Sequence, residues 1–260
     1  SVWRGLRQGR RSGFRLGVQC TAGLAGRMEI GTNQAVMRPL IERIRPALID
    51  GGFRMEDFWT WCGSVVEDDC GLFHMFASAW EKSVPFAPNW LTSSRIVRAE
   101  SPVPEGPYTY CGDVLPPRHA SFWDGRMTHN PTIHRWNDLY LLFYTGTTFS
   151  EPPPGPGDVV SEEMYQACRS RQRIGLAVAE SPEGPWRRPD GPCLEPRSGH
   201  WDSFMMTNPA PCVLPNGGIL LLYKSSGDAA GPIRYGVAKA ESPMGPFRRV
   251  APDGPIVFDQ

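Results

Sequence analysis

The sequence predicts an all-β protein built like a propeller, with about three four-stranded blades. Three observations carry this. A strand phrase ending in Ala-Glu-Ser-Pro, then Gly-Pro and an aromatic, recurs three times. A hairpin phrase precedes each of them at matching spacing. The chain also holds 28 Gly and 27 Pro beside 40% hydrophobic residues, the composition of many short strands and tight turns.

The strand phrase reads "RIVRAESPVPEGPY" at 95–108, "IGLAVAESPEGPW" at 174–186 and "YGVAKAESPMGPF" at 235–247. Pro fixes φ and Gly permits positive φ, so each is a strand running into a tight turn, and the aromatic begins the next strand. The hairpin phrase reads "EDFWTWCGSVVEDDCGLFHMFAS" at 56–78, "WDGRMTHNPTIHRWNDLYLLFYTG" at 123–146 and "WDSFMMTNPAPCVLPNGGILLLYKS" at 201–225. An acid stands six residues before a recurring position in all three: Glu56 before Cys62, Asp124 before Asn130, Asp202 before Asn208. The turns "EDDCG", "RWND" and "LPNGG" then lead into a second apolar strand, with Asn and Gly supplying positive φ. Strand, turn, strand, connection, strand, turn, strand is one blade of roughly 60–80 residues. The blades fall at about 53–115, 123–196 and 201–260.

Residues 1–35 form a basic extension and 36–260 the propeller-like body. The first 27 residues carry six Arg and no acid, the pattern of an organelle-type targeting segment or a basic arm. Alternatively they precede the natural start, with Met28 and Met37 both suitable. One helix is expected over 33–50, limited by Pro39 and Pro46. The segment 149–172 interrupts the second repeat as a Pro-rich loop ending in a helical turn.

Lys plus Arg equals 27 and Asp plus Glu equals 27, so no overall field recruits nucleic acid or membrane. No apolar run reaches the length of a membrane span. Seven Cys occur, an odd count with no CxxC pair; this points to a reducing, cytoplasmic location and away from a disulfide framework or structural zinc.

The hairpins and the "ESPxGPW" turns, most closely "AVAESPEGPW" and "NPTIHRWNDLYLLFYTG", resemble the five-bladed propeller glycoside hydrolases of families 43, 32 and 117. The resemblance spans about residues 53–258. It implies an active site at the propeller axis, where each inner strand presents a polar residue, and three carboxylates from successive blades. The matching positions here are Cys62, Asn130 and Asn208, none of them a carboxylate. The resemblance also implies five blades, whereas three are legible. Open blade flanks expose apolar sides, and the expectation is a homo-oligomer, such as two chains forming a pseudo-six-bladed ring or a larger closed assembly.

The expected function is that of a hydrolase of the glycosidase-like propeller type acting on a glycoside, a small molecule or oligosaccharide, in an axial pocket. Asp124 and Asp202 are its candidate acid and base, since cleavage of a glycosidic bond needs paired carboxylates. Recurrence of the acid in every repeat equally fits a structural cap. His129, directly before Asn130, together with His119 and His200, could share a proton or bind a divalent metal. That gives the second reading, an ester or phosphoester hydrolase. Cys62 beside His129 could act as a nucleophile. Trp61, Trp123, Trp201 and Tyr144 could contact a sugar, Asn130 and Asn208 could hold hydroxyls, and Lys224 could bind an anion. The third reading is a non-catalytic propeller that binds carbohydrate or a partner.

Overall fold

A computed structural model describes Ile44 and residues 46–256. The chain divides into two compact units between Ala47 and Leu48; the second, described here, is the propeller body. Most of the helix expected over 33–50 lies outside the described residues. Of its end, 46–48 lack regular structure and 49–50 form a turn.

Three antiparallel sheets follow one another. The first contains β1 (Phe58–Glu67), β2 (Phe73–Glu81), β3 (Arg95–Ser101) and β4 (Thr109–Leu115), in that order. A single helical turn, α1 (Trp90–Ser93), precedes β3 and buries Leu91. The second sheet contains β5 (Met127–Trp136), β6 (Leu139–Thr147) and β7 (Arg173–Ala179). The helix α2 (Glu162–Ser170) sits in the expected interruption, its N-terminus capped by the Ser161 side chain. The third contains β8 (Met205–Val213), β9 (Ile219–Ser226), β10 (Arg234–Ala240) and the two-residue β11 (Arg248–Arg249).

One expectation needs correction. The second blade has three strands, not four; its outer strand shrinks to two isolated bridges on β7, Ile174 with Leu194 and Val178 with Arg187. The segment from Arg187 onward carries Pro189, Pro192 and Pro196, and each removes a donor that a continuous ladder needs.

The inner strand of each blade repeats one backbone feature. β1, β5 and β8 each break register at one place, between Trp61 and Ser64, His129 and Thr132, and Thr207 and Ala210. The residue that opens each bulge is left-handed: Cys62 at φ 52°, Asn130 at 49° and Asn208 at 51°. Asn tolerates this region better than other non-glycine residues because its short side chain bonds locally. The amides before Pro therefore satisfy a backbone demand that every blade makes.

Successive blades are joined by a repeated contact. Phe76 of β2 meets Trp186 of the second blade edge-on at 5.5 Å, and Phe143 of β6 meets Phe247 of the third at 6.2 Å. Hydroxyls then latch the bulges. The Asn130 N–H donates to Ser78 Oγ at 2.9 Å, and the Asn208 N–H donates to Thr145 Oγ1 at 3.0 Å. Phe76, Ile96, Leu115, Ile133, Leu142 and Tyr144 make the core between the first two blades. On the first flank Phe53 and Met55 pack over Ala77, Ala79 and Val97, held by the Gly52 N–H to Glu105 O at 2.7 Å.

Candidate axial site

The three bulges converge. Cys62-Gly63-Ser64, Asn130-Pro131-Thr132 and Asn208-Pro209-Ala210 line one open depression of about 400 Å³. The register read from sequence thus places Cys62, Asn130 and Asn208 together. Cross-blade bonds hold the rim: Ser64 Oγ accepts the Ile133 N–H at 3.1 Å, and Thr132 Oγ1 donates to Pro209 O at 2.9 Å.

The amides carry unused hydrogen-bonding capacity. Asn130 Oδ1 is buried without a partner among the described residues, an acceptor that costs stability until something donates to it. Asn208 Oδ1 already accepts from Thr207 Oγ1 at 2.9 Å, which leaves its NH2 to donate. The Cys62 thiol reaches solvent, yet the strands around it desolvate it and push it up to about 11. A thiol in that range is protonated at neutral pH and is a poor nucleophile. Trp61, next to Cys62, is 51% exposed and stands edge-on to Phe86 at 5.5 Å; Phe86 in turn contacts Trp59 at 5.6 Å and Trp80 at 5.0 Å.

The structure does not bring Asp124 and Asp202 to the depression. Both are fully buried inside their blades. Asp124 accepts from Arg118 Nε at 2.6 Å, Arg188 Nη1 at 3.3 Å and the Tyr144 hydroxyl at 2.7 Å. Asp202 repeats the set with Arg197 Nε at 3.1 Å, Arg249 Nε at 2.6 Å and the Tyr223 hydroxyl at 3.2 Å. With every oxygen engaged and no solvent access, these carboxylates tie strands together. Burial first, then the neighbouring carboxylates, raise Tyr144 well above the ordinary phenol range and push Tyr223 up to about 12. Trp123 and Trp201 belong to the same clusters, stacked on Tyr144 at 5.7 Å and Tyr223 at 5.9 Å. Trp123, Trp201 and Tyr144 thus pack inside blades and do not line the depression. In the first blade Glu56 is exposed, and its main-chain carbonyl accepts from Lys82 Nζ at 2.6 Å.

His129 is also a packing residue. It is 4% exposed, lies against Trp80 and Trp90, and has Nδ1 2.7 Å from Ser94 Oγ. Burial pushes it down to about 3, so the ring is neutral at ordinary pH. Among the described residues it makes no hydrogen bond to Cys62 or to a carboxylate. His119 bonds Ser121 locally at 2.8 Å and His200 is exposed. Among the described residues no group of three His, Cys, Asp or Glu is placed to hold a metal.

Sequence reading missed the four arginines and the hydroxyl latches. A signal existed for two of them, Arg188 and Arg249. "GPWRR" and "GPFRR" follow the second and third turns, whereas the first has "GPYTY". The double Arg thus travels with the buried Asp.

The fold is that of the propeller glycoside hydrolases, with three blades among the described residues. Solved structures define the likeness. A family 117 glycoside hydrolase of the marine bacterium Zobellia galactanivorans superposes with a TM-score of 0.58 at 22% identity, over 74% of this chain and 55% of that one. A second glycoside hydrolase gives 0.56 at 15%, over 79% and 60%. A sucrose-6-phosphate hydrolase from Lactobacillus gasseri gives 0.51 at 16%, over 73% and 33%. The chain therefore spans little more than half of the first two, and at these identities the likeness is one of fold. No family model matches the chain, and no curated protein matches it.

Proposed function

We propose that the axial depression binds a saccharide and that the three blades described here hold it without cleaving it. The carrying observation is the lining itself. Three left-handed bulge residues face one opening that, among the described residues, has an unpartnered amide oxygen on Asn130, a free amide NH2 on Asn208 and no carboxylate in its lining. Amides serve sugar hydroxyls as both acceptor and donor, while glycosidic cleavage needs an acid and a base. Trp61 and Phe86 offer exposed aromatic surface on the first blade, of the kind that packs on a sugar face.

Calorimetric titration with a panel of neutral and charged oligosaccharides tests this. Binding is expected for the native chain and is expected to disappear in Asn130→Gly and Asn208→Gly, in which glycine keeps the left-handed backbone and removes only the amide. Release of reducing sugar by the purified chain would overturn the non-cleaving part. Failure of every saccharide to bind would overturn the whole reading.

A further inference from the structure

A second pocket lies between the first two blades and shares no lining residue with the axial depression. Its volume is about 230 Å³, close to that of eight water molecules at roughly 30 Å³ each. The first blade supplies Glu81, Val84 and Arg95, and Pro117 comes from the link to the second. The second blade supplies Arg126 and loop residues 153–156. Described residues of two neighbouring blades therefore wall it. The loop belongs to the Pro-rich interruption 149–172, and loops that long are usually functional. A turn fixes its tip: the Gly155 N–H donates to Asp158 Oδ2 at 2.8 Å, and the Asp158 N–H donates to Gly155 O at 3.1 Å.

Two arginines line this pocket, and each is anchored at Nε. Arg126 Nε donates to Phe149 O at 3.3 Å. Arg95 Nε lies 2.9 Å from Asp113 Oδ2, close enough to pair but poorly aligned for a hydrogen bond, and its guanidinium covers the Phe58 ring at 4.8 Å. Among the described residues the terminal nitrogens of both arginines make no hydrogen bond, and Arg126 has no carboxylate partner. Asp113 compensates Arg95, so Arg126 brings the uncompensated charge. Glu81 is exposed, accepts from Ser83 Oγ at 3.2 Å and pairs with neither arginine. Val84, Pro117 and the three loop prolines add apolar surface.

We infer that this pocket binds a small organic monocarboxylate, its carboxylate on the Arg126 guanidinium and its apolar body against the prolines. The planar fork of arginine matches a carboxylate through two parallel bonds. Glu81 places a negative charge in the lining, which disfavours a second charge on the ligand and selects a monoanion over a dianion. The inference is independent of the saccharide reading. Lys224, the anion-binding candidate of the sequence, lines neither pocket.

The test is calorimetric titration of the full chain, above neutral pH, with benzoate, phenyl phosphate and benzamide. The three share one ring and differ in the head group. Benzoate should bind about tenfold or more tightly than benzamide, the gain of charge-assisted bonds over neutral ones. It should also bind more tightly than phenyl phosphate, which carries close to two charges there. Arg126→Gln should remove most of the preference for benzoate over benzamide with the urea midpoint near that of the native chain. Arg126→Lys, which keeps the charge without the fork, should retain part of it. Equal affinity for benzoate and benzamide, or binding of neither, would overturn the inference whether or not the variants fold. Benzoate binding unaltered in a folded Arg126→Gln would do the same, and tighter binding of phenyl phosphate than of benzoate would overturn the carboxylate assignment.

Discussion

The second and third blades build their inner architecture around a buried acid, and the first does not. Asp124 and Asp202 sit between two arginines and a tyrosine, under a stacked tryptophan. At the corresponding places the first blade has Glu56, Ala77 and Met55, and Glu56 lies in solvent. Met55 packs over Ala77 and Val97 as Trp123 packs over Tyr144 and Gly175. The large and small partners have changed places: tyrosine over glycine in one blade, alanine under valine in another. A buried charge network and an apolar plug thus solve the same packing problem. The recurring acid marks an architectural position, and its chemistry matters only where arginines accompany it.

Breaking the network should have the largest effect. Asp124→Ala or Asp202→Ala removes the buried carboxylate that two guanidiniums and a phenol share and should cost about 3–5 kcal/mol in urea unfolding. The same experiment on Glu56→Ala should register within about 0.5 kcal/mol. Equal losses in all three variants would show that the acid does the same work in every blade.

Acidification should separate the blades next. The positions Trp61, His129 and Thr207 correspond by register, and only His129 titrates. Its folded value lies near 3 against an ordinary 6.5, so the unfolded chain takes up the proton first. The stabilisation is complete above pH 6.5 and declines as pH falls to 3, by roughly 4 kcal/mol at 1.36 kcal/mol per unit. Urea titrations at stepped pH should show this slope, and His129→Gln should flatten it. An unchanged slope in that variant would place the sensitive group elsewhere.

A smaller effect probes the tyrosine–glycine exchange. A Cβ on Gly175 would lie 2.6 Å from both Trp123 and Tyr144, so Gly175→Ala should cost about 1–3 kcal/mol by overpacking. Gly191 has no neighbouring atom within 4 Å, and Gly191→Ala should leave the unfolding midpoint nearly unchanged.

Much of the fold was legible because blades repeat. Pro and Gly fix turns locally, and three copies of one turn disclose a period that a single copy hides. The convergence of Cys62, Asn130 and Asn208 followed from the same register. The roles of Asp124, Asp202, His129, Trp123 and Trp201 did not, because burial depends on which residue faces across the blade. Arg118 reaches Asp124 from six positions away, but Arg188 comes from 64 positions along the chain. The shortened fourth strand of the second blade was legible in its prolines, and the regularity of the repeat obscured it.

The left-handed bulges have one further consequence. Asp tolerates the same backbone as Asn, so at positions 130 and 208 the left-handed bulge itself accepts either amide or acid. Exchanging one nitrogen for one oxygen in each side chain would set two carboxyl groups around the opening, with no strand moved. The scaffold is therefore two substitutions from offering acid–base chemistry at its axis, which makes it a convenient frame on which to build or retire an active site.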